Sequence, residues 1–237
     1  PSTNLSGKSS DLAAAFAGTV TEHTGTITIT NNDYTIAELK TINNATTGAI
    51  TLSDPSSNLS GTSSDIVLAF AASANGTAVT TNTGTVTITN SDYTLAQLKT
   101  INAATTGSII LNNTTAALSG TVADFVAAFT GTVTTHTGTI TITDSAETDI
   151  TATDITTINS ASTGTITVSN SIDINGSGSQ VADAFTAIDT NTGNATANIT
   201  GDDYTAAQLK TINDATSGAI ILADATVALT GTAAEVH

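Results

Sequence analysis

Thr26-Ile-Thr-Ile-Thr-Asn-Asn-Asp-Tyr-Thr-Ile-Ala-Glu-Leu-Lys-Thr-Ile-Asn-Asn-Ala45 holds a strand, a turn and a helix in immediate succession. Ile27 and Ile29 alternate with Thr26, Thr28 and Thr30, the period-two pattern of a half-buried strand. β-branched residues suit that pleated surface. Asn31, Asn32 and Asp33 then break the pattern with turn chemistry. Thr35 and Glu38 have the spacing of a capping box. Ile36, Leu39 and Ile42 recur at helical spacing, which predicts a helix over 35–45 with one apolar face.

The same unit recurs along the chain. Its strands fall at Thr85–Thr89, Thr139–Thr143 and, degraded, near Ala197–Thr200, with helices at Thr94–Ala104, near Thr151–Ala161 and at Thr205–Ala215. A second unit alternates with it: a strand at Ala49–Ser53, an extended piece at Leu59-Ser60 and a helix over Ser63–Ala71, with copies in 108–130, 165–187 and 219–236. Further capping pairs open these helices at Thr94/Gln97, Thr205/Gln208, Thr62/Asp65, Thr121/Asp124 and Thr232/Glu235. Gly48, Gly107, Gly164 and Gly218 follow the helices, where a left-handed cap favours glycine. Leu5-Ser-Gly, Leu59-Ser-Gly, Leu118-Ser-Gly, Ile174-Asn-Gly and Leu229-Thr-Gly mark the period. They give about four 55-residue repeats starting near 5, 59, 118 and 174, with a partial fifth from 229. The whole of 1–237 therefore reads as one continuous segment of a longer array.

A strand, a helix and another strand without a hairpin turn call for parallel pairing. One such unit cannot bury its apolar face alone, whereas stacked copies can. The expected fold is an α/β repeat, a parallel β-solenoid with short crossover helices; the alternative is an open α/β parallel sheet. The third and fourth repeats depart most from the pattern. Ile150 stands where the others have Tyr34, Tyr93 and Tyr204, and the strand within Asn194–Thr200 is poor in inward β-branched residues. Those rungs are expected to be the least stable.

Composition narrows function. The 237 residues contain no Cys, Met or Trp, and the four basic residues are Lys8, Lys40, Lys99 and Lys210. The net charge of −16 argues against a nucleic-acid partner, which needs a basic patch. No apolar run spans a bilayer, so membrane insertion is not expected. The absence of cysteine removes disulfide frameworks and thiolate metal sites. An aromatic content of 3% leaves little with which to line a polysaccharide groove, so an enzyme such as a lyase ranks last.

Three chemistries remain. Calcium needs clustered oxygen ligands in turns; the candidates are Asp33, Asp92, Asp144, Asp173, Asn175, Asp202 and Asp203, though helix and turn capping gives Asp and Asn there a sufficient role. Thr26, Thr28, Thr30, Thr85, Thr87, Thr89, Thr139, Thr141 and Thr143 form outward Thr-x-Thr-x-Thr runs. Such a flat array resembles the ice-binding face of some antifreeze proteins, but Ala49/Thr51/Ser53, Ser108/Ile110/Asn112 and Ala219/Ile221 interrupt it. His23 and His136 precede equivalent strands, with Asn82 in the second copy, and read as surface-loop residues. Lys40, Lys99 and Lys210 share one helical position and read as part of a solvated face.

Asp92-Tyr-Thr-Leu-Ala-Gln-Leu-Lys-Thr-Ile-Asn-Ala-Ala-Thr-Thr-Gly107 and Leu118-Ser-Gly-Thr-Val-Ala-Asp124 carry a resemblance that extends over the whole chain. The chain resembles the tandem-repeat regions of giant secreted or cell-surface adhesin and fibre proteins of bacteria, particularly marine cyanobacteria. That resemblance implies an extracellular or cell-surface stalk, fibre or adhesive surface, often exported by a dedicated secretion system, with no active-site residues. The expected function is a structural rod module of an extracellular fibre, surface layer or adhesin. Its expected partners are neighbouring repeats or identical subunits end to end, and surface glycans. A calcium-rigidified ligand- or glycan-binding adhesin module is the alternative, and an ice-binding solenoid the lesser one.

Overall fold

The computed structural model describes residues 2–18, 22–71 and 79–232. The chain forms two compact units, Pro1–Thr114 with Ala127–Thr134, and Thr115–Val126 with Thr135–His237. The first contains β1 (Leu5–Gly7), α1 (Ser9–Phe16), β2 (Ile27–Ile29), α2 (Ile36–Asn44), β3 (Ile50–Leu52), β4 (Leu59–Gly61), α3 (Ser63–Phe70), β5 (Val86–Ile88), α4 (Leu95–Ala104) and β6 (Ile109–Leu111). After β7 (Leu118–Gly120) comes α5 (Val122–Phe129), which crosses the unit boundary. The second unit continues with β8 (Ile140–Ile142), β9 (Asp149–Thr151), α6 (Ala152–Ala161), β10 (Ile166–Val168), β11 (Asp173–Gly176), α7 (Gly178–Ala187), β12 (Thr190–Asn191), β13 (Thr196–Ile199), α8 (Ala206–Ala215) and β14 (Ile220–Leu222).

The fold is α/β, and every sheet among the described residues is parallel. The first unit has sheets β1-β2-β3 and β4-β5-β6; the second has β12-β10-β8-β7 and β14-β13-β11-β9. Each strand pairs with the strand one coil of chain later, as Ile27 does with Leu5 before it and Ile50 after it. The register sets apolar on apolar: Leu59–Val86–Ile109 in one sheet and Leu118–Ile140–Ile166 in another. A slip of one residue would turn every one of these side chains to the opposite face. The helices stack likewise, α1 on α2 on α3 on α4, and α6 on α7 on α8. Leu39, Ile42, Leu98, Ile155 and Ile158 are fully buried between helix and sheet, each contributing about 1.5–3 kcal/mol of transfer free energy.

The capping boxes form as the spacing predicts at Thr35/Glu38, Thr94/Gln97 and Thr205/Gln208. A fourth, Ser177/Gln180, opens α7. Thr62 and Thr121 accept from the amides of Asp65 and Asp124. The predicted Thr232/Glu235 pair extends outside the described residues.

The glycines after the helices have a different cause from the one expected. None of Gly48, Gly107, Gly164 and Gly218 has a positive φ; among described glycines only Gly131 does. A Cβ on Gly48 would lie 1.9 Å from the Gly25 carbonyl oxygen, one on Gly107 would lie 2.0 Å from that of Gly84, and one on Gly164 would lie 1.8 Å from that of Gly138. The backbones of successive coils touch here, so the constraint is space between coils and not the dihedral of one residue.

Candidate functional site

The outward strand faces carry hydroxyls, as alternation predicts. Thr28, Thr87 and Thr141 are half-buried beside one another's equivalents, and Thr30, Thr89 and Thr143 are exposed at the strand ends. Pairing aligns them into columns: Ser6–Thr28–Thr51 on the first sheet and Ser60–Thr87–Ile110 on the second. Ile110 is exposed and breaks its column, as does Ile221 in the last strand. The interruption expected on alternate rungs is absent from one sheet of the second unit, β12-β10-β8-β7. There Ser119, Thr141, Thr167 and Thr190 run unbroken across four strands. Thr165 and Ser169 flank Thr167 as Thr139 and Thr143 flank Thr141. The rung Thr165-Ile-Thr-Val-Ser169 carries the same period-two signal as the runs singled out from sequence. At a strand spacing of about 4.8 Å these methyls and hydroxyls make an uncharged lattice.

Of the calcium candidates, Asp33, Asp92, Asp144, Asp202 and Asp203 lie in connecting segments and Asp173 and Asn175 lie in the strand β11; most are engaged in holding coils together. Asn31 Oδ1 accepts from the Ser9 amide at 2.7 Å, at the start of α1 in the preceding coil. Asn90 does the same for Ser63 and α3 at 2.7 Å. Asp144, buried, does it for Val122 and α5 at 2.8 Å. Asp33 and Asp92 accept from the amides of Asn31 and Asn90, each at 2.6 Å, and so orient them. Those hydrogen bonds hold both carboxyls below the usual carboxylate range. Asp173 faces Asp149 across the β9–β11 pair, with Asn175 donating to Asp149 at 3.1 Å. Asp202 and Asp203 are exposed. Among the described residues no three of His, Asp or Glu converge on one point.

The other ends of the helices are tied by the asparagine of the recurring Lys-Thr-Ile-Asn. Asn43 donates to the Leu68 and Ala71 carbonyls at 2.8 and 3.0 Å, at the end of α3. Asn102 donates to Ala127 of α5 at 2.7 Å. Sequence reasoning had passed over these asparagines. Lys40 reaches Asp65 on the next helix at 2.6 Å, and this pairing lowers the Asp65 pKa. Lys210 pairs with Asp214 within its own helix at 2.9 Å.

The histidines correct an expectation. His23 and His136 lie inside the protein, as does Asn82 at the same position of the second repeat. Each pairs as an isolated bridge with the coil that follows, at Thr46, Ser162 and Thr105 respectively. The Thr46 hydroxyl donates to the His23 carbonyl at 3.0 Å, and the Thr105 hydroxyl to that of Asn82 at 2.9 Å. The Phe16 ring stands 6.0 Å from the His23 imidazole. Burial pushes the His136 imidazole below its ordinary value, opposed by a hydrogen bond to the Ala116 backbone. Asn82 donates through its amide to the Ser57 carbonyl at 3.0 Å. These side chains fill the interior at a position that holds an imidazole in two repeats and an amide in the other.

No protein-family model, curated protein or solved structure matches the chain. Its reading therefore rests on this geometry. Among the described residues no helix is long and apolar enough to cross a membrane.

Proposed function

We propose that the chain is a structural module of an extracellular fibre, surface layer or adhesin, in which the coils of each unit wind as a parallel β-solenoid. One observation carries this reading: the side chains that recur from repeat to repeat are spent on the next coil. Tyr34 donates to the Asp54 carbonyl at 3.0 Å, Tyr93 to that of Asn113 at 2.9 Å and Tyr204 to that of Asp224, each 20 residues ahead. The turn asparagines, the helix-end asparagines and the touching glycines act between coils in the same way. Chemistry devoted to holding repeats in line suits a protein whose product is length and stiffness. The acidic, hydroxyl-rich exterior keeps such a rod dispersed.

Electron microscopy of the purified protein, with and without a calcium chelator, tests this. Rods with a rung spacing near about 4.8 Å that survive chelation support a self-sufficient structural module. Particles without that spacing sink the reading, and rods that soften only on chelation transfer it to a calcium-dependent adhesin. The unbroken column Ser119–Thr141–Thr167–Thr190 favours a second reading, in which that face binds ice. Growth of ice crystals in the presence of the protein, compared with a Thr141→Lys/Thr167→Lys variant, decides it.

A further inference from the structure

One tie between coils falls on a peptide bond unlike any other in the chain. Apart from Pro1, Pro55 is the sole proline, and Asp54 precedes it, so Asp54–Pro55 is the single Asp-Pro bond. It lies in the connection between β3 and β4, within the first unit. Such a bond is weak on both sides. An aspartate carboxylate can close a five-membered ring onto its own carbonyl carbon, so the nucleophile is already in place. The proline nitrogen belongs to a tertiary amide; it is more basic than other peptide nitrogens and leaves more readily.

The fold holds both halves of this bond. The Tyr34 hydroxyl donates to the Asp54 carbonyl at 3.0 Å, the oxygen on which charge develops when the carbonyl is attacked. Burial pushes the Tyr34 phenol up, so this donor keeps its proton. The Ser56 hydroxyl and amide donate to Asp54 Oδ1 at 2.6 and 3.0 Å and orient the carboxyl. Those hydrogen bonds hold it below the usual carboxylate range, so it stays ionised and nucleophilic in mild acid. On the leaving side, the Pro55 carbonyl accepts from the Thr83 and Gly84 amides at 2.8 and 3.4 Å. Asp54 and Pro55 are half-buried and Ser56 is exposed, so water reaches the bond.

Other repeats carry the same frame without the labile bond. Tyr93 donates to the Asn113 carbonyl and Tyr204 to that of Asp224. Thr226 holds the Asp224 carboxyl as Ser56 holds that of Asp54. Thr114 follows Asn113, however, and Ala225 follows Asp224. Carboxylate, hydroxyl donor and proline meet only at Asp54–Pro55.

We propose that the chain cleaves itself at this bond. A carboxylate oxygen of Asp54 adds to the Asp54 carbonyl carbon, and the oxyanion formed accepts from Tyr34. The C–N bond then breaks, its electron pair stays on the Pro55 nitrogen, and that nitrogen takes a proton from the acidic solvent. Water opens the cyclic anhydride, leaving Asp54 with two carboxyl groups and Pro55 with a free secondary amine. The sum is hydrolysis by one water. The two pieces stay joined across the nick by the Ile50–Val79 bridge and by Asn43, which donates to the Leu68 carbonyl.

Mass spectrometry of the full chain, held at mildly acidic pH and then denatured, tests the proposal. Fragments 1–54 and 55–237 are expected, formed at least about tenfold faster in the folded chain than in urea at the same pH. Asp54→Asn and Pro55→Ala are expected to abolish this cut. Tyr34→Phe is expected to slow it about tenfold, one hydrogen bond to the developing charge. The rate in urea belongs to the sequence alone, so a folded chain that cleaves no faster overturns the proposal without any variant. A folded Tyr34→Phe chain that cleaves like the parent overturns it too, as does equal cleavage after Asn113 or Asp224. The rod reading stands or falls separately, on the rung spacing.

Discussion

The turn after β2 and the turn after β8 solve one problem in two ways. In the first, Asp33-Tyr34-Thr35 forms no strand; Tyr34 buries its ring and its hydroxyl holds the Asp54 carbonyl. In the second, Asp149-Ile150-Thr151 is the strand β9, with Ile150 facing Ile174 and the Asp173 amide donating to the Thr148 carbonyl. The sheet gains a strand where the tyrosine is lost, so β11 lies between two neighbours while its counterpart β4 is an edge. Ile150 keeps the apolar filling but has no hydroxyl, and backbone pairing supplies the tie instead. The expectation that the third repeat is weakened by losing its tyrosine therefore omits what replaces it. A repeat tolerates a changed side chain when the bond that side chain made can be moved to the backbone.

The largest effect comes from breaking what both kinds of coil share. Gly107→Ala and Gly164→Ala each drive a methyl into a carbonyl oxygen of the preceding coil. Each is expected to cost at least ~3 kcal/mol, read as loss of the cooperative thermal transition. Equal damage in the two units would show that coil contact is independent of how the turn is tied. Tyr93→Phe is the next test. It leaves the ring and removes the hydrogen bond to the Asn113 carbonyl, at an expected cost of about 1 kcal/mol in urea unfolding. Ile150→Phe should cost its own packing strain but no hydrogen bond; if Tyr93→Phe is neutral, the hydroxyl is not the tie. The Tyr93 phenol itself, its pKa pushed up to about 12 by burial, should ionise only when the chain unfolds in alkali.

The histidine position sharpens the comparison through pH. His136 has its pKa lowered by folding, so the unfolded chain takes up the proton first. Stability is then expected to fall as pH drops through the ordinary histidine value of about 6.5, and to level off below the folded-state value. His136→Asn, the residue that the second repeat already uses at Asn82, should fold and lose this part of the pH dependence. An unchanged profile in denaturant titrations from neutral to mildly acidic pH would show that the imidazole stays solvated. The smallest effect belongs to Lys40→Ala. Its ion pair with Asp65 is more than a third exposed on both sides, and exposed pairs contribute little. No measurable shift of the thermal midpoint is expected.

What could be read in the sequence was what a single repeat contains. Ile27 and Ile29 against Thr28 gave the strand face, and Thr35 with Glu38 gave the helix start, because both patterns act within a few residues. Parallel pairing followed from the absence of hairpin turns. What acts between coils was harder to see. Asn31 looks like a turn residue, and its service to α1 depends on which coil lies beside which. Gly48 looks like a helix cap until the Gly25 carbonyl is found against it. His23 sits between polar residues, so nothing local marks it as buried. Ser177 and Gln180 have the capping-box spacing of the other pairs and were missed from sequence, although the same local signal could have found them. The sheet-extending role of Asp149-Ile-Thr151 was not legible, because it requires a partner strand 24 residues away.

The caps that reach across coils also impose an order in time. The helices α1, α3 and α5 each take an amide partner from a turn that lies 22 or 27 residues later in the chain. A polypeptide emerging amino end first presents each of these helices before its cross-coil partner exists, although Thr62 and Thr121 already cap α3 and α5 from within. Structure then advances one coil behind the point of emergence, and every finished coil waits on the next to be sealed.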